Sequence, residues 1–256
     1  MLEALIWDVD GTIAETERDG HRLAFNQAFQ SMRLHWHWDP ARYGELLHIT
    51  GGRERLLHDM DNHDDAPADP AERAALAAVL HRRKNEAYAD IVGMARIVPR
   101  PGVLRLMEEA RAAGLRQAIA TTTSRTNVDA LLGGWFGRQW PERFVAVVCG
   151  EDVSKKKPDP EVYQRALEQL GCRADEAIAI EDSLPGLTSA GSAGLAVLLT
   201  PSVYFPRTQA MVDADAVASA CVLAVCDSLD QPPAMDVPRL RMLLEHLAQR
   251  RSSTAS

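Results

Sequence analysis

The chain has 256 residues, 46% of them hydrophobic, enough for one large domain or a core domain carrying an insertion. Lysine and arginine total 28 against 36 aspartates and glutamates, and the net charge of −8 argues against nucleic acid as a general partner while leaving room for a small phosphorylated metabolite held by local cations. Cys149, Cys172, Cys221 and Cys226 form no C-x-x-C pair, no basic region precedes the first apolar run, and no apolar run is long enough to span a membrane; the expectation is a cytoplasmic protein with reduced thiols and no membrane contact.

The run Leu2–Trp7 predicts a buried strand ended by the turn at Gly11. Asp8 and Asp10 stand at i and i+2, so in an extended segment both side chains point into one small volume. Two carboxylates that close repel unless a cation lies between them or one takes up a proton. Hard oxygen ligands with room for water and phosphate suit Mg²⁺, and the arrangement suits phosphoryl transfer, one aspartate attacking phosphorus and the other handling protons. On its own, Asp8-Val9-Asp10-Gly11 fits a polar turn after a core strand equally well.

Residues 15–92 hold helix-like stretches at Arg18–Met32, Arg42–His48, Glu54–Met60 and Pro70–Asp90 and no convincing strand, which predicts an all-helical insert after the first strand. Within it, His35 and His37 alternate with Trp36 and Trp38; with no third ligand nearby they read as surface histidines beside packed indoles. The segment 97–102, with Pro99 and Pro101, brings the chain back through a stiffened hinge. From about residue 96, strands at Gln117–Ala120, Phe144–Val148, Ala177–Ile180 and Ala196–Leu199 alternate with helices at Val103–Ala113, Asn127–Leu132, Pro160–Leu170 and Leu184–Ser192, a pattern implying a parallel sheet covered by helices. Gly114 and Gly171 stand where helices should end, and Trp135 and Trp140 read as buried aromatics at the edge of the core. Beyond Leu229, Pro232 and Pro233 break structure, Val237–Arg250 predicts a last helix, and Ser252–Ser256 are expected to be disordered.

Ligands of open α/β sheets bind beyond the carboxyl ends of the strands, which singles out three further segments. Thr121-Thr122-Thr123-Ser124 offers hydroxyls and free amides leading into a helix, either a phosphate cradle or a helix cap with extra hydroxyls. In the run Lys155-Lys156-Lys157, Lys157 precedes Pro158 and so has a restrained backbone; its ammonium can pair with phosphoryl oxygens and keep a carboxylate ionised, while Lys155 and Lys156 are expected in solvent. Glu181 and Asp182 can complete a Mg²⁺ shell begun at Asp8, although Asp182 also fits as a helix cap. Each bland reading is sound alone; four strand ends carrying these groups in order are hard to explain as unrelated caps.

Asp8-Val9-Asp10-Gly11-Thr12, Thr121, Lys157-Pro158 and Glu181-Asp182-Ser183 together resemble the four motifs of the haloacid dehalogenase-like hydrolases, over nearly the whole chain up to about residue 227. The resemblance implies an α/β fold: a Rossmann-like parallel-sheet core of residues 1–14 and 96–256 with an all-helical cap of residues 15–95. It implies Asp8 as nucleophile, Asp10 as acid/base, and Thr121 and Lys157 as ligands of the phosphoryl group. It also implies Mg²⁺ held by Asp8, the Asp10 backbone carbonyl and Asp182, with help from Glu181. More finely, residues 14–17, His21, 43–47, 50–55, 100–102, 121–124 with Asn127, and 156–158 are similar to the CbbY branch, whose members are sugar bisphosphate phosphatases linked to carbon fixation, with xylulose 1,5-bisphosphate as the reported substrate. Arg53 departs from the lysine relatives often carry, the turn near His21 is one residue longer, and the tail runs further.

For a bisphosphate, Gly51 and Gly52 allow backbone approach, and Arg53 and Arg55, with Glu54 between them, offer forked donors. His81, Arg82, Arg83 and Lys84 form a basic cluster on a predicted helix, His81 and Lys84 on one face, which reads either as a dock for the uncleaved phosphate or as an exposed helix face. Glu17 and His21 are placed to meet sugar hydroxyls; the resemblance adds Tyr43, Thr122, Thr123, Ser124 and Asn127 to the substrate contacts. The expectation is a Mg²⁺-dependent sugar bisphosphate phosphatase acting as a monomer on a small molecule. A mutase of the β-phosphoglucomutase type, sharing the core motifs, is the rival, and a non-catalytic phosphosugar sensor the second.

Overall fold

The computed structural model describes residues 1–94, 97–206 and 221–254. Its centre is a six-stranded sheet. β1 (Ala4–Trp7) lies between β2 (Arg116–Ala120) and β4 (Ala177–Glu181); β3 (Ala146–Val148) flanks β2, and β5 (Ala196–Leu199) then β6 (Val222–Val225) continue beyond β4. Every pairing is parallel. β1 and β4 are buried along their whole length, as parallel strands covered on both faces should be. Their residues alternate between two apolar clusters: Leu5 and Trp7 enter one, Ala4 and Ile6 the other. Among the helices that supply the first cluster, α5 (Val103–Ala112) gives Leu106, α6 (Arg125–Phe136) Val128, and α9 (Val237–Thr254) Leu240. The second is supplied by α7 (Glu161–Leu170) and α8 (Leu184–Ser192), through Val162 and Leu187. Because strand order reverses at β1, the loops leaving β1, β2 and β4 part there and open a crevice at its carboxyl end.

The expected strands and helices are present within a few residues of their predicted bounds. Two differences stand out. β6 was not anticipated, its four residues being too few to show a period. The last helix continues to Thr254, so part of the tail expected to be disordered is helical; residues 255–256 lie outside the described residues. Trp140 is buried, and Trp135 is partly buried with its indole N–H on the Ile97 carbonyl at 3.2 Å.

Between β1 and α5 stand α1 (Arg22–Ser31), α2 (Pro40–Leu46), α3 (Gly52–Asp59) and α4 (Pro70–Gly93). Asp39 and Asp69 cap α2 and α4 by accepting from Arg42 N and from Ala71 N and Glu72 N, each with proline in the first turn. These helices have a core of their own, including Phe25, Phe29, Trp38, Tyr43, Leu56 and Leu80. Trp36 and Trp38 point into it while His35 and His37 are exposed, as the alternation predicts. Near His21 the chain forms a π-helical turn, Glu17–His21, which leads directly into α1. The chain returns beside the point where it left: Arg100 N donates to the Ile13 carbonyl at 2.8 Å, and Pro99 pairs with Ala14. The boundary expected between residues 95 and 96 falls outside the described residues.

Candidate active site

β1 ends at Trp7 and β4 at Glu181, side by side in register, so the residues just beyond them share the mouth of the crevice. Lys157 enters this space from the loop after β3, its peptide bond to Pro158 cis. The buried ammonium donates to Asp8 Oδ1 at 2.6 Å, Glu181 Oε1 at 2.6 Å and the Ala120 carbonyl at 3.0 Å. An ammonium has three N–H donors and all three are used, so Lys157 is fixed in position. Burial opposes its charge, but Asp8 and Glu181 outweigh that and hold it protonated. Glu181 is fully buried and also accepts from the Tyr163 hydroxyl. A Cβ on Gly186 would lie 1.9 Å from Glu181 Oε2, so only glycine lets α8 start this close to the carboxylate.

Asp8, Glu181 and Asp182 are buried and offer ligand oxygens within 4.8 Å of one another. Burial, opposed by Lys157 and reinforced by Glu181 and Asp10, pushes Asp8 up to about 7. Burial together with Asp8 and Glu181 pushes Asp182 well above the ordinary carboxyl range. Three carboxylates facing one ammonium leave a surplus of negative charge among hard oxygen donors, and this set fits Mg²⁺. Glu181, already holding Lys157 and Tyr163 on one oxygen, is largely committed within the protein. Asp182 was also read as a helix cap; the cap of α8 is instead Ser183, which accepts from Gly186 N, so Asp182 is left facing Asp8.

Asp10 turns away from that group. Its Oδ1 accepts from Thr16 Oγ1 at 2.6 Å and meets His21 Nε2 at 2.9 Å. Burial works to raise Asp10, yet His21 and Thr16 hold it down to about 2. His21 is buried and stacked on Tyr88 at 4.2 Å between ring centroids.

Two adjacent cavities lie here. An inner chamber of about 60 Å³ is lined by Asp8, Asp182, Lys157, Ser183 and Phe205 among others; an outer cavity of about 500 Å³ is lined by His21, Arg53, Glu54, His81, Lys84, Ser124, Asn127 and Lys156 among others. Asp10, Glu17, Gly51, Arg55 and Thr122 line both. His21 Nδ1, Ser124 Oγ and Asn127 Oδ1 are buried without a partner and belong to residues of the outer wall, the condition a polar ligand relieves.

Most of the anticipated site residues, including Gly52 and Thr123, thus line one or both cavities, while others have partners within the protein or face solvent. Thr121 is buried outside both linings and accepts from Thr123 N at 3.3 Å; Thr122 is the residue presented to the chamber. Tyr43 is buried in the helical core and donates to Glu17, which it positions. Arg55 is spent largely on Leu46 O, Tyr43 Oη and Ile49 O. Arg82 and Arg83 face solvent, because only positions three apart share the inner face of α4. His81 is pushed down to about 4 by burial, Lys84 and Lys156, so it faces the cavity neutral. Lys156, expected in solvent, instead crosses the mouth to Glu54 Oε1 at 2.7 Å. Phe205, Thr16 and Tyr163 were not anticipated; they lie outside the strand-end motifs, and only chain folding brings them to the site.

Residues 2–194 match the model of the haloacid dehalogenase-like hydrolases. CbbY of Rhodobacter capsulatus is 46% identical over 203 residues, 79% of this chain and 87% of that protein. The crystal structure of CbbY from Rhodobacter sphaeroides in complex with phosphate aligns with a TM-score of 0.82 at 37% identity, covering 94% of this chain and 100% of that one. An aspartate-to-asparagine variant of the same protein, in complex with xylulose-(1,5)bisphosphate, aligns with a TM-score of 0.81 at 37% identity, covering 94% and 99%.

Proposed function

The chain belongs to the haloacid dehalogenase-like hydrolase family, in its CbbY branch, and is a phosphoric monoester hydrolase; on that footing we propose that it is a Mg²⁺-dependent phosphatase of sugar bisphosphates that removes the 1-phosphate of xylulose 1,5-bisphosphate in support of carbon fixation. The observation that carries this reading is the pair of adjacent cavities that share Asp10, Glu17, Gly51, Arg55 and Thr122 in their walls, a small chamber at Asp8 beside a larger one that bears Arg53 and Lys84. A phosphoryl group enters the chamber, and the sugar and second phosphate occupy the larger space. The rhodobacterial relative that holds xylulose bisphosphate supports the choice of substrate.

Residues 15–95 serve as the cap, and closing it over the core keeps bulk water from the chamber. Lys157 holds Asp8 Oδ1, so the other carboxylate oxygen is the one that attacks phosphorus in line. Asp10 is similarly held on Oδ1, leaving Oδ2 toward the leaving sugar oxygen. A phosphate dianion placed beside Asp10 raises its proton affinity, the condition under which it protonates the leaving oxygen; it then takes a proton from the water that hydrolyses the aspartyl-phosphate. Mg²⁺, held by Asp8 and Asp182, offsets phosphoryl charge when bound.

A phosphate-release screen over sugar mono- and bisphosphates, with Mg²⁺ and with a chelator, tests the reading. Release dependent on Mg²⁺ and fastest from xylulose 1,5-bisphosphate is the expected result. Equal rates on ribulose 1,5-bisphosphate overturn the substrate, and conversion of β-glucose 1-phosphate to glucose 6-phosphate without release overturns the reaction.

A further inference from the structure

Beyond β5 the chain runs as a strap, residues 200–206, from the sheet into the helical unit. Its start is pinned: Thr200 N donates to the Glu181 carbonyl at 2.6 Å, and the Arg100 guanidinium donates to the carbonyls of Thr200 at 2.7 Å and Pro201 at 2.8 Å. Ser202 is buried beside Asp182: a Cβ on Gly11 would meet Asp182 Oδ2 at 2.1 Å and Ser202 Cβ at 3.1 Å, and the Ser202 hydroxyl favours the ionised form of that carboxylate. Val203 N donates to Glu15 Oε2 at 3.3 Å, beside the hinge. The next two side chains leave the core altogether. Tyr204 and Phe205 pack against the apolar cluster of the helical unit. The Tyr204 ring meets Tyr43 edge-on at 5.7 Å and lies over Gly44. Tyr43 in turn positions Glu17, and Phe205 forms part of the inner chamber wall with Asp8 and Asp182.

One short segment therefore lies beside a candidate metal ligand at Ser202 and against the helical unit at Tyr204. Two residues of extended chain span less than about 7 Å, too little to let Tyr204 withdraw from the helices without pulling on Ser202. We propose that this strap couples the seating of the cap to the orientation of Asp182, with Tyr204 a positioning residue for a metal-binding carboxylate it does not touch and Phe205 the apolar wall that closes over the chamber. The strap rests on the phosphatase reading for the identity of the ion, and its test uses a readout independent of turnover.

The test is isothermal titration of Mg²⁺ into the full chain and three variants, Tyr204→Ala, Tyr204→Phe and Ser202→Ala. Tyr204→Ala should weaken Mg²⁺ binding about five- to tenfold, by about as much as Ser202→Ala, and the double variant should be no weaker than either, since both act through one path. Tyr204→Phe keeps the ring against Tyr43 and should bind within about twofold of the unaltered chain. Unchanged Mg²⁺ affinity in Tyr204→Ala, or losses that add in the double variant, overturn the coupling. Linkage is reciprocal, so Mg²⁺ added to the unaltered chain should slow amide exchange at Val203–Phe205, and this measurement decides the matter should Tyr204→Ala not fold; unchanged exchange overturns the coupling. An unaltered chain that binds Mg²⁺ yet releases no phosphate refutes the phosphatase reading while leaving the strap to these measurements; one that binds no Mg²⁺ overturns both.

Discussion

Lys84→Met should make the protein more stable and a poorer catalyst, and the size of the first effect follows from the surroundings of the ammonium. Lys84 is buried, sits 5.4 Å from the Phe25 ring centre and 5.2 Å from that of Tyr88, and has one long hydrogen bond, to Asn85 Oδ1 at 3.4 Å. Burial lowers it from 10.5 to about 8, against the pull of Asp10 and Glu17. At pH 7 the lysine is protonated in the folded and the unfolded chain alike, so the destabilisation is present in full. As pH rises from about 8 toward 10.5 the folded lysine deprotonates first and the destabilisation fades. Each tenfold change in proton affinity is about 1.4 kcal/mol, so the gap between the two values corresponds to about 3 kcal/mol. Methionine has similar length and no charge to bury, and the variant should gain about that much unfolding free energy at neutral pH, a gain that shrinks toward pH 10.5. Urea denaturation of both proteins across this pH range measures it. A variant no more stable than its parent at neutral pH, or a gain that does not change with pH, would refute the reasoning. The same variant should raise KM for a sugar bisphosphate, because the outer cavity loses a cation.

Asp8→Asn should abolish phosphate release while far-UV circular dichroism stays unchanged; residual turnover above the uncatalysed rate would remove Asp8 from the nucleophile's role. Lys157→Ala leaves Asp8 and Glu181 buried without their shared cation, and urea unfolding should show a loss of about 3–5 kcal/mol alongside lost activity. Arg53, half in solvent at the cavity rim, should matter to the second phosphate alone: Arg53→Ala is expected to raise KM about tenfold or more for a bisphosphate and hardly at all for a monophosphate, as a charge-assisted hydrogen bond of about 1.5–3 kcal/mol would require. Equal changes for the two substrates would place the second phosphate elsewhere.

What the sequence made legible was local. A strand that ends in Asp8 and Asp10 and a strand that ends in Glu181 and Asp182 are each written in a handful of neighbouring residues, and each lies where its pattern implies. The period of α4 was legible too: positions 81 and 84 share a face, and it is the grouping of Arg82 and Arg83 with them that the structure corrects, since both face solvent. What stayed hidden depends on pairs far apart in the chain. Nothing near Arg55 announces that its guanidinium is consumed by the carbonyls of Leu46 and Ile49, and nothing near Tyr204 announces that a loop after β5 will complete the helical core.

The lysine run shows where the line falls. Lys157 reaches down to Asp8 and Glu181, while Lys156 reaches across to Glu54, at the start of α3, at 2.7 Å. Lys156 and Lys157 lie in a turn, Asp159 N donating to the Lys156 carbonyl at 3.0 Å, and their ammonium groups go to different partners. The partner of Lys156 is not written in the neighbouring residues, because Glu54 is 102 residues away and its approach depends on Gly51, where a Cβ would come within 2.6 Å of the Lys156 ammonium. Away from the hinge, this is the ion pair among the described residues that joins the helical unit to the loop carrying Lys157. Two consecutive residues thus tie the charge beside Asp8 to the position of the helical unit, an arrangement that a short motif can hint at and only a folded chain can complete.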